Sequence, residues 1–306
     1  MLKEKHKPAA TVAGCVAGVL CILNGLAGCQ SESGDQADSD SLTRQNVESM
    51  AREHSGDSGT PGAGAAIAPE RAVVAETLPY AEVNDELVYG HFVFPSDMVD
   101  PLPGLIVVHE WWGLNDGVRA MADRLAAEGY IVLAVDLFGG KTAEFPPQAR
   151  ELMLAALQKP ELASDNIRQA YEFIRDTGGA PKIGSLGWCF GGAWALNAAL
   201  QFPDDLDAAV IYYGQVSDDE EQLASLNVPI LGLFGENDRG IPVETVKSFE
   251  QTLASLGKEH EIEIFPGAGH AFANPSGNNY NPEVAQQAWE RTVAFLRNHL
   301  HRAAQE

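Results

Sequence analysis

Between residues 87 and 265 the chain alternates short apolar runs with stretches of helical periodicity, and this alternation restricts the fold more than any other feature. The runs Leu87–Phe94, Leu105–His109, Ile131–Val135, Ile183–Trp188, Ala208–Tyr213, Pro229–Phe234 and Glu261–Phe265 have strand length and are rich in Val, Ile and Leu. Helical patterns lie between them, from about Asn115 to Gly129, at 147–158, at 161–176 and over Gly191–Leu200. A last helix opens with Asn281 as its cap and Pro282 in its first position. Apolar strands separated by helices build a mostly parallel sheet covered on both faces. In such sheets the working residues gather on loops at the carboxyl ends of the strands. Residues 71–306 therefore read as one α/β domain without internal repeats.

The residues before that domain have a different character. Met1–Lys7 is short and basic, and Thr11–Ala27 is apolar or small. That run falls short of the roughly 20 residues a bilayer-spanning helix needs and suits the central region of a secretory signal. It ends Leu26-Ala27-Gly28-Cys29, which resembles the lipobox of bacterial lipoproteins, where the cysteine thiol receives a diacylglyceryl group. Residues 1–28 are expected to be a signal peptide and Cys29 a lipid anchor in a bilayer. Gln30, rather than aspartate, follows that cysteine and favours an outer membrane in a cell that has one. Residues 29–70 are rich in Ser, Gly, Asp and Ala, and read as a flexible tether with a short helical tendency around Leu42–Arg52.

The net charge of −23 argues against nucleic acid or an anionic lipid surface as a partner, since both require a basic face. Of four cysteines, Cys15 and Cys21 leave with the signal and Cys29 becomes the anchor. Cys189 is the one thiol left in the domain. It sits in Gly187-Trp188-Cys189-Phe190-Gly191-Gly192, directly after an apolar strand and before a helix. This is the pattern of a nucleophile elbow with cysteine as the nucleophile. The turn is tight enough to need glycine at its flanks, and it raises the sulfur above the sheet edge. The N–H of Phe190 then points to where an oxyanion would form.

A thiol of ordinary pKa, about 8.5, needs a base at neutral pH. Of eight histidines, His6 belongs to the signal, His54 to the tether, and His299 and His301 to the C-terminal end. His260 precedes a strand and so lies at the wrong edge of the sheet, His91 sits in an early strand, and His109 reads as a packed core residue. His270 alone follows the last strand at its carboxyl end and is the expected base. Among acids to orient it, Asp238 after the Pro229–Phe234 strand is preferred. Glu236 is the alternative, and Asp136 suits a turn-capping role. The order nucleophile, acid, histidine is that of the α/β-hydrolase fold.

Over roughly Val83–Leu300 the chain resembles the dienelactone hydrolases (carboxymethylenebutenolidases). The resemblance rests on His109-Glu110-Trp111-Trp112-Gly113, Asp136-Leu137-Phe138, the cysteine elbow, Tyr212-Tyr213-Gly214, Asp238 and Gly269-His270-Ala271-Phe272. It implies that Glu110 helps to generate the thiolate, that Trp111 supplies a second oxyanion N–H, and that Trp112 lines the pocket. Tyr213, Phe272, Lys141 and Asn274 are the further candidates for contact with substrate. Two departures concern specificity. Gly140 and Asn274 stand where the family's dienelactone enzymes carry arginines that grip a substrate carboxylate, and Lys141 is one residue beyond the first. Lysine is a point charge and asparagine has none, so neither replaces a bidentate fork. The resemblance implies hydrolysis of a small carboxylic ester or lactone through a thioacyl-enzyme, without a cofactor or metal. A membrane-anchored binding lipoprotein that keeps the scaffold without turnover is the second reading. The missing arginines suggest it and the three filled triad positions oppose it.

Overall fold

A computed structural model describes residues 47–60, 69 and 71–301. The expected signal peptide and Cys29 lie outside these described residues. No helix among them is long and apolar enough to cross a membrane.

The chain enters the sheet through a hairpin. Strand β1, Val73–Val83, pairs antiparallel with β2, Glu86–Pro95. Asn84 and Asp85 join them with φ of 54° and 63°, the left-handed pair that two-residue hairpin turns require and that Asn and Asp tolerate. The parallel body follows: β3 Gly104–Val108, β4 Ile131–Val135, β5 Ile183–Trp188, β6 Ala208–Tyr212, β7 Ile230–Gly235 and β8 His260–Phe265. The eight strands lie in the order β1-β2-β4-β3-β5-β6-β7-β8, with β2 antiparallel to β4 and every later pairing parallel.

Every residue of β3 to β7 is buried. Successive strand residues point to opposite faces, so complete burial means that both faces are covered. The helices that cover them are α2 Asp116–Ala127, α3 Pro146–Leu157, α4 Pro160–Asp176, α5 Phe190–Gln201, α6 Glu220–Ala224, α7 Val243–Ser255 and α8 Pro282–Leu296. Helix α2 packs on β2 and β4, α4 on β1, β3 and β4, and α5 on β3, β5 and β6. The side chain of Asn115 accepts from the Val118 N–H and that of Asn281 from the Val284 N–H, so the two caps read in the sequence are made.

After β3 the chain moves to one side for β4, then crosses back past β3 for β5. Loops after β3 and β5 diverge at such a reversal and leave a crevice at the carboxyl edge. Glu110 and Trp111 follow β3, and Cys189 follows β5.

Strand β1 and helices α6 and α7 are additions to the sequence reading. Strand β1 carries Pro79 at a register shift between Pro79 and Ala81, and exposes most of its positions, so it lacks a clean apolar run. Helix α7 buries only Val246, Phe249 and Leu253, a narrow stripe at helical spacing.

A larger difference concerns residues 47–60, which the sequence reading leaves within the flexible tether. Residues 47–53 form a helix, α1, that packs on the domain with Val47 and Met50 buried. Val47, Met50 and His54 are spaced three and four residues apart and so share one face. The segment is fastened at several points: Arg150 pairs with Glu48, Gly59 N–H donates to Glu144 O at 3.2 Å, and Asn115 Nδ2 donates to Gly59 O at 2.9 Å. Asn278 N–H also donates to Asp57 Oδ1 at 2.8 Å. A compositional reading misses this because the segment has little apolar area of its own and is ordered by partners more than fifty residues away in sequence.

Candidate active site

Cys189 occupies the single residue between β5 and α5, with φ 57° and ψ −118°. A non-glycine residue held there stores roughly 1–3 kcal/mol of strain, which the surrounding packing must impose. The neighbours explain how. A Cβ on Gly187 would lie 2.0 Å from Gly191 O, and one on Gly191 would lie 2.2 Å from Val108 O. Only two bare backbones can pass so closely, and their approach forces the turn. The Cys189 N–H is tied to Tyr212 O at 2.9 Å, and the Gly192 N–H donates to Cys189 O at 3.0 Å. Phe190 supplies the first N–H of α5.

The histidine arrives from the loop after β8 and the acid from the loop after β7. His270 Nδ1 lies 2.7 Å from Asp238 Oδ2, with both side chains almost fully buried. Asp238 Oδ1 accepts from the Gly240 and Ile241 N–H groups at 2.8 and 2.9 Å. The carboxylate is thereby fixed from two sides and holds an imidazole hydrogen on Nδ1, so Nε2 is the nitrogen that takes up or gives the mobile proton. That Nε2 is buried without a hydrogen-bond partner, and a ring nitrogen of His270 lies within 4.8 Å of Cys189 Sγ. Glu236, the alternative acid, turns away and accepts from the Gly267 N–H at 2.8 Å.

Burial pushes the Cys189 thiol up, and the facing His270 and His54 rings more than offset this, leaving it below its ordinary value. Burial pulls His270 down, but the charges of Asp238 and Cys189 outweigh it and hold the imidazole well above its ordinary value. Both shifts favour the ionised forms of the two facing groups.

Glu110 is buried beside this group. Its Oε1 accepts from Tyr213 Oη at 3.2 Å and its Oε2 from Asn274 Nδ2 at 2.5 Å. Burial raises its pKa, and His54, His270 and these two hydrogen bonds offset only part of that rise. Tyr213 and Asn274, expected to touch substrate, instead hold Glu110; both also line a cavity of about 50 Å³ with Glu110, Trp112 and Trp188. Tyr213 leaves β6 with φ 36° and sets its ring edge against His270 at 5.2 Å between centroids.

Two other expected substrate contacts are elsewhere. Phe272 is fully buried and packs against Tyr213 and Phe265, so it belongs to the core. Its apolar bulk satisfies the sheet edge rather than a pocket. Lys141 is exposed and lines a separate cleft of about 460 Å³ with Arg119 and Lys159, a cleft that Cys189 does not line. His109 is a core residue as read, with Nδ1 at 2.6 Å from Glu110 O and Nε2 accepting from the Leu137 N–H at 3.1 Å. Asp136 caps its turn by accepting from the Phe138 N–H at 2.8 Å and from the Gly140 N–H.

Three residues that the sequence reading leaves in the tether complete the site. Met50 Sδ lies 3.2 Å from Cys189 Sγ, and His54 Nε2 lies 3.9 Å from it. His54 Nδ1 is 2.8 Å from Asp57 Oδ2. The His54 ring stacks on Trp111 at 4.7 Å and meets Trp112 and His270 edge-on. Cys189 is therefore 0% exposed, roofed by residues 50–57. Burial pulls His54 down, but its bond to Asp57 and the neighbouring Cys189 leave its pKa raised. The helical tendency noted around Leu42–Arg52 was the only sequence signal for this roof.

The Dienelactone hydrolase family matches residues 89–300. A "Putative carboxymethylenebutenolidase" of Saccharolobus solfataricus is 34% identical over 240 residues, covering 65% of this chain and 90% of that protein. One of Escherichia coli is 30% identical over 244 residues, covering 76% of this chain and 89% of that protein. A solved structure described as "Putative Dienelactone Hydrolase" from Klebsiella pneumoniae superposes with a TM-score of 0.66 at 28% identity, covering 74% of this chain and 98% of that one.

Proposed function

Because this chain belongs to the dienelactone hydrolase family and is thus a hydrolase of ester or lactone bonds, we propose that it works through Cys189, His270 and Asp238 with a thioacyl-enzyme intermediate. One observation carries the reading. A thiol held at φ 57° faces a histidine whose remote nitrogen is 2.7 Å from a buried aspartate.

The Cys189 thiolate attacks the carbonyl carbon, and the π electrons move onto the oxygen. The N–H groups of Phe190 and Trp111 donate to that oxyanion. Collapse expels the alkoxide, which takes the proton from His270 Nε2 and leaves as the alcohol, or stays tethered when a lactone opens. Nε2 then removes a proton from water as that water attacks the thioester. The thiolate departs, the acid product is released, and the thiolate–imidazolium pair is restored. Glu110, between two hydrogen-bond donors, is a positioning neighbour of this pair. Residues 50–57 must withdraw from Cys189 for substrate to enter.

The proton balance makes the reading testable. A lowered thiol pKa keeps Cys189 ionised at pH values below the ordinary thiol range, and a raised His270 keeps the imidazole charged above its ordinary range. Ultraviolet thiolate absorbance against pH should therefore inflect below the ordinary thiol range in the native protein. In His270→Ala the inflection moves up towards that range. An unmoved inflection would remove His270 from the pair.

We assign the substrate to the uncharged members of the family's chemistry. Asn274, at the place where the resemblance puts an arginine, is engaged with the Glu110 carboxylate, and the small cavity beside Glu110, which Cys189 does not line, has no Lys, Arg or His in its wall. A buried substrate carboxylate would meet Glu110 without a partner, which is costly. Neutral aryl esters and lactones should exceed carboxylate-bearing analogues of equal size in kcat/KM by about tenfold or more. A preference for the anionic members would overturn the assignment.

For the N-terminus we propose the lipid anchor at Cys29, on the residues Leu26-Ala27-Gly28-Cys29. Labelled palmitate should enter the full chain in a bacterial host and be lost in Cys29→Ser. Equal labelling of both would sink the proposal.

A further inference from the structure

More donors gather at Cys189 than ester hydrolysis calls for. Two imidazoles, a thiol and a thioether converge on one buried point: His54, His270, Cys189 and Met50. One nitrogen from each of the two rings and Cys189 Sγ lie within 4.8 Å of one another, with His54 Nε2 at 3.9 Å from the sulfur. With metal–nitrogen bonds of about 2.0 Å and metal–sulfur bonds of about 2.3 Å, tetrahedral geometry sets nitrogen and sulfur roughly 3.5 Å apart. The nitrogens would close the shell by inward shifts of a few tenths of an ångström to about one ångström, while Met50 Sδ, 3.2 Å from Cys189 Sγ, would move out by about half an ångström to the roughly 3.8 Å that two bound sulfurs require, a range that side-chain rotation covers.

We propose that His54, Cys189 and His270, with Met50 as the weaker fourth donor, bind a thiophilic cation, and that its binding and ester hydrolysis exclude each other. Soft thiolate and thioether ligands beside imidazole select copper(I) or zinc over magnesium or calcium, and the thioether favours copper(I).

Three further observations point the same way. Each histidine has its Nδ1 against a carboxylate, His54 on Asp57 at 2.8 Å and His270 on Asp238 at 2.7 Å. This carboxylate–histidine arrangement fixes a ligand ring and presents Nε2 as a donor to metal. A hydrolase needs one such dyad, and this site has two aimed at one sulfur. Secondly, His270 Nε2 is buried without a hydrogen-bond partner, a cost that a coordinate bond would relieve. Thirdly, the thiolate and two carboxylates gather three negative charges around this buried point, which favours a cation there, and Trp111 stacks on the His54 ring beside it.

The consequence follows from where the ligands come from in the chain. Met50 and His54 belong to residues 47–60, whereas Cys189 and His270 belong to the elbow and the loop after β8. A bound ion would staple the roof shut while occupying both the nucleophilic sulfur and the basic nitrogen. Binding rests only on the donor geometry; the exclusion of hydrolysis rests also on the mechanism proposed above.

The test uses the chain with Cys15, Cys21 and Cys29 replaced by serine, reduced and stripped with chelator. Copper(I) is titrated anaerobically against bicinchoninate, and zinc separately against a chromophoric chelator. The expected result is one equivalent of at least one of these ions bound by the wild type. In His54→Ala affinity should fall by about 10- to 100-fold, and in Asp57→Asn by about 10-fold or more. Met50→Leu should weaken copper(I) more than zinc, and Cys189→Ser should abolish tight binding. Thermal unfolding of each apo variant identifies any that fail to fold, and Asp57→Asn and Met50→Leu then carry the test. Binding of neither ion, or affinity unchanged across the folded variants at residues 50, 54 and 57, overturns the proposal. An active Cys189→Ala enzyme would refute the thiolate mechanism and leave the metal site standing. An inactive one with no metal bound by the wild type would do the reverse.

Discussion

Cys189→Ala is expected to lower kcat/KM for a neutral ester such as p-nitrophenyl acetate by at least about 10⁴-fold, with the fold intact. The size follows from the chemistry. Without the sulfur no thioacyl intermediate forms, and what remains is binding, the oxyanion donors and a histidine that can at best activate water. Those leave a residual rate of roughly 10³- to 10⁴-fold over water in comparable triads. The fold should persist because the elbow is held by the approach of Gly187 to Gly191 and of Gly191 to Val108, not by the sulfur. Circular dichroism and thermal unfolding separate a lost nucleophile from a lost fold. Full activity in the variant would show that another group performs the attack.

Asp238→Asn should cost nearly as much, about 10³- to 10⁴-fold in kcat. Asp238 acts in two ways at one site. Its Oδ2 sets the His270 tautomer at 2.7 Å, and its charge is a principal cause of the raised imidazole pKa. The amide removes the charge and can present N–H to Nδ1, so the ring proton moves to Nε2 and the base is lost. The imidazolium partner of the thiolate is weakened at the same time, so the thiolate inflection should move upward in this variant as in His270→Ala. That shift distinguishes the electrostatic role from mere loosening of the loop after β7, which would leave the inflection in place. Asp238 Oδ1 also accepts from the Gly240 and Ile241 N–H groups, and the amide oxygen in that position can keep both interactions. The stability loss should therefore be small beside the kinetic one.

The sequence carried the features that depend on local backbone and strand order. An apolar strand followed by G-x-C-x-G-G specifies the elbow, because no other residue fits where a Cβ would lie 2.0 Å from a carbonyl oxygen. The edge of the sheet at which a loop emerges picks out His270 and Asp238, since parallel strands send all their carboxyl ends the same way. Asn281-Pro282 marks the start of α8 because the cap is satisfied within three residues.

Features that depend on side-chain direction were harder to read. Lys141 follows the correct strand but lines a different cleft, and Phe272 sits two residues past the histidine yet turns into the core. Asn274 stands at an arginine's position and donates to Glu110 instead. The roof was the least legible part. His54 reaches Cys189 from 135 residues earlier in the chain, and its neighbours have the composition of a linker. The helical tendency around Leu42–Arg52 did not show that Val47, Met50 and His54, on one face, would be buried. Their partners exist only once the rest of the domain has folded.

The central claim is that an acyl group passes through one sulfur. Rapid acid quench of the wild-type protein during turnover of p-nitrophenyl acetate, followed by intact mass and peptide mapping, tests it most directly. The predicted result is one acetyl group on the peptide carrying Cys189, removable by hydroxylamine and absent from Cys189→Ala. An acetyl group on any other residue, or steady turnover without an adduct on Cys189 under single-turnover conditions, would contradict it.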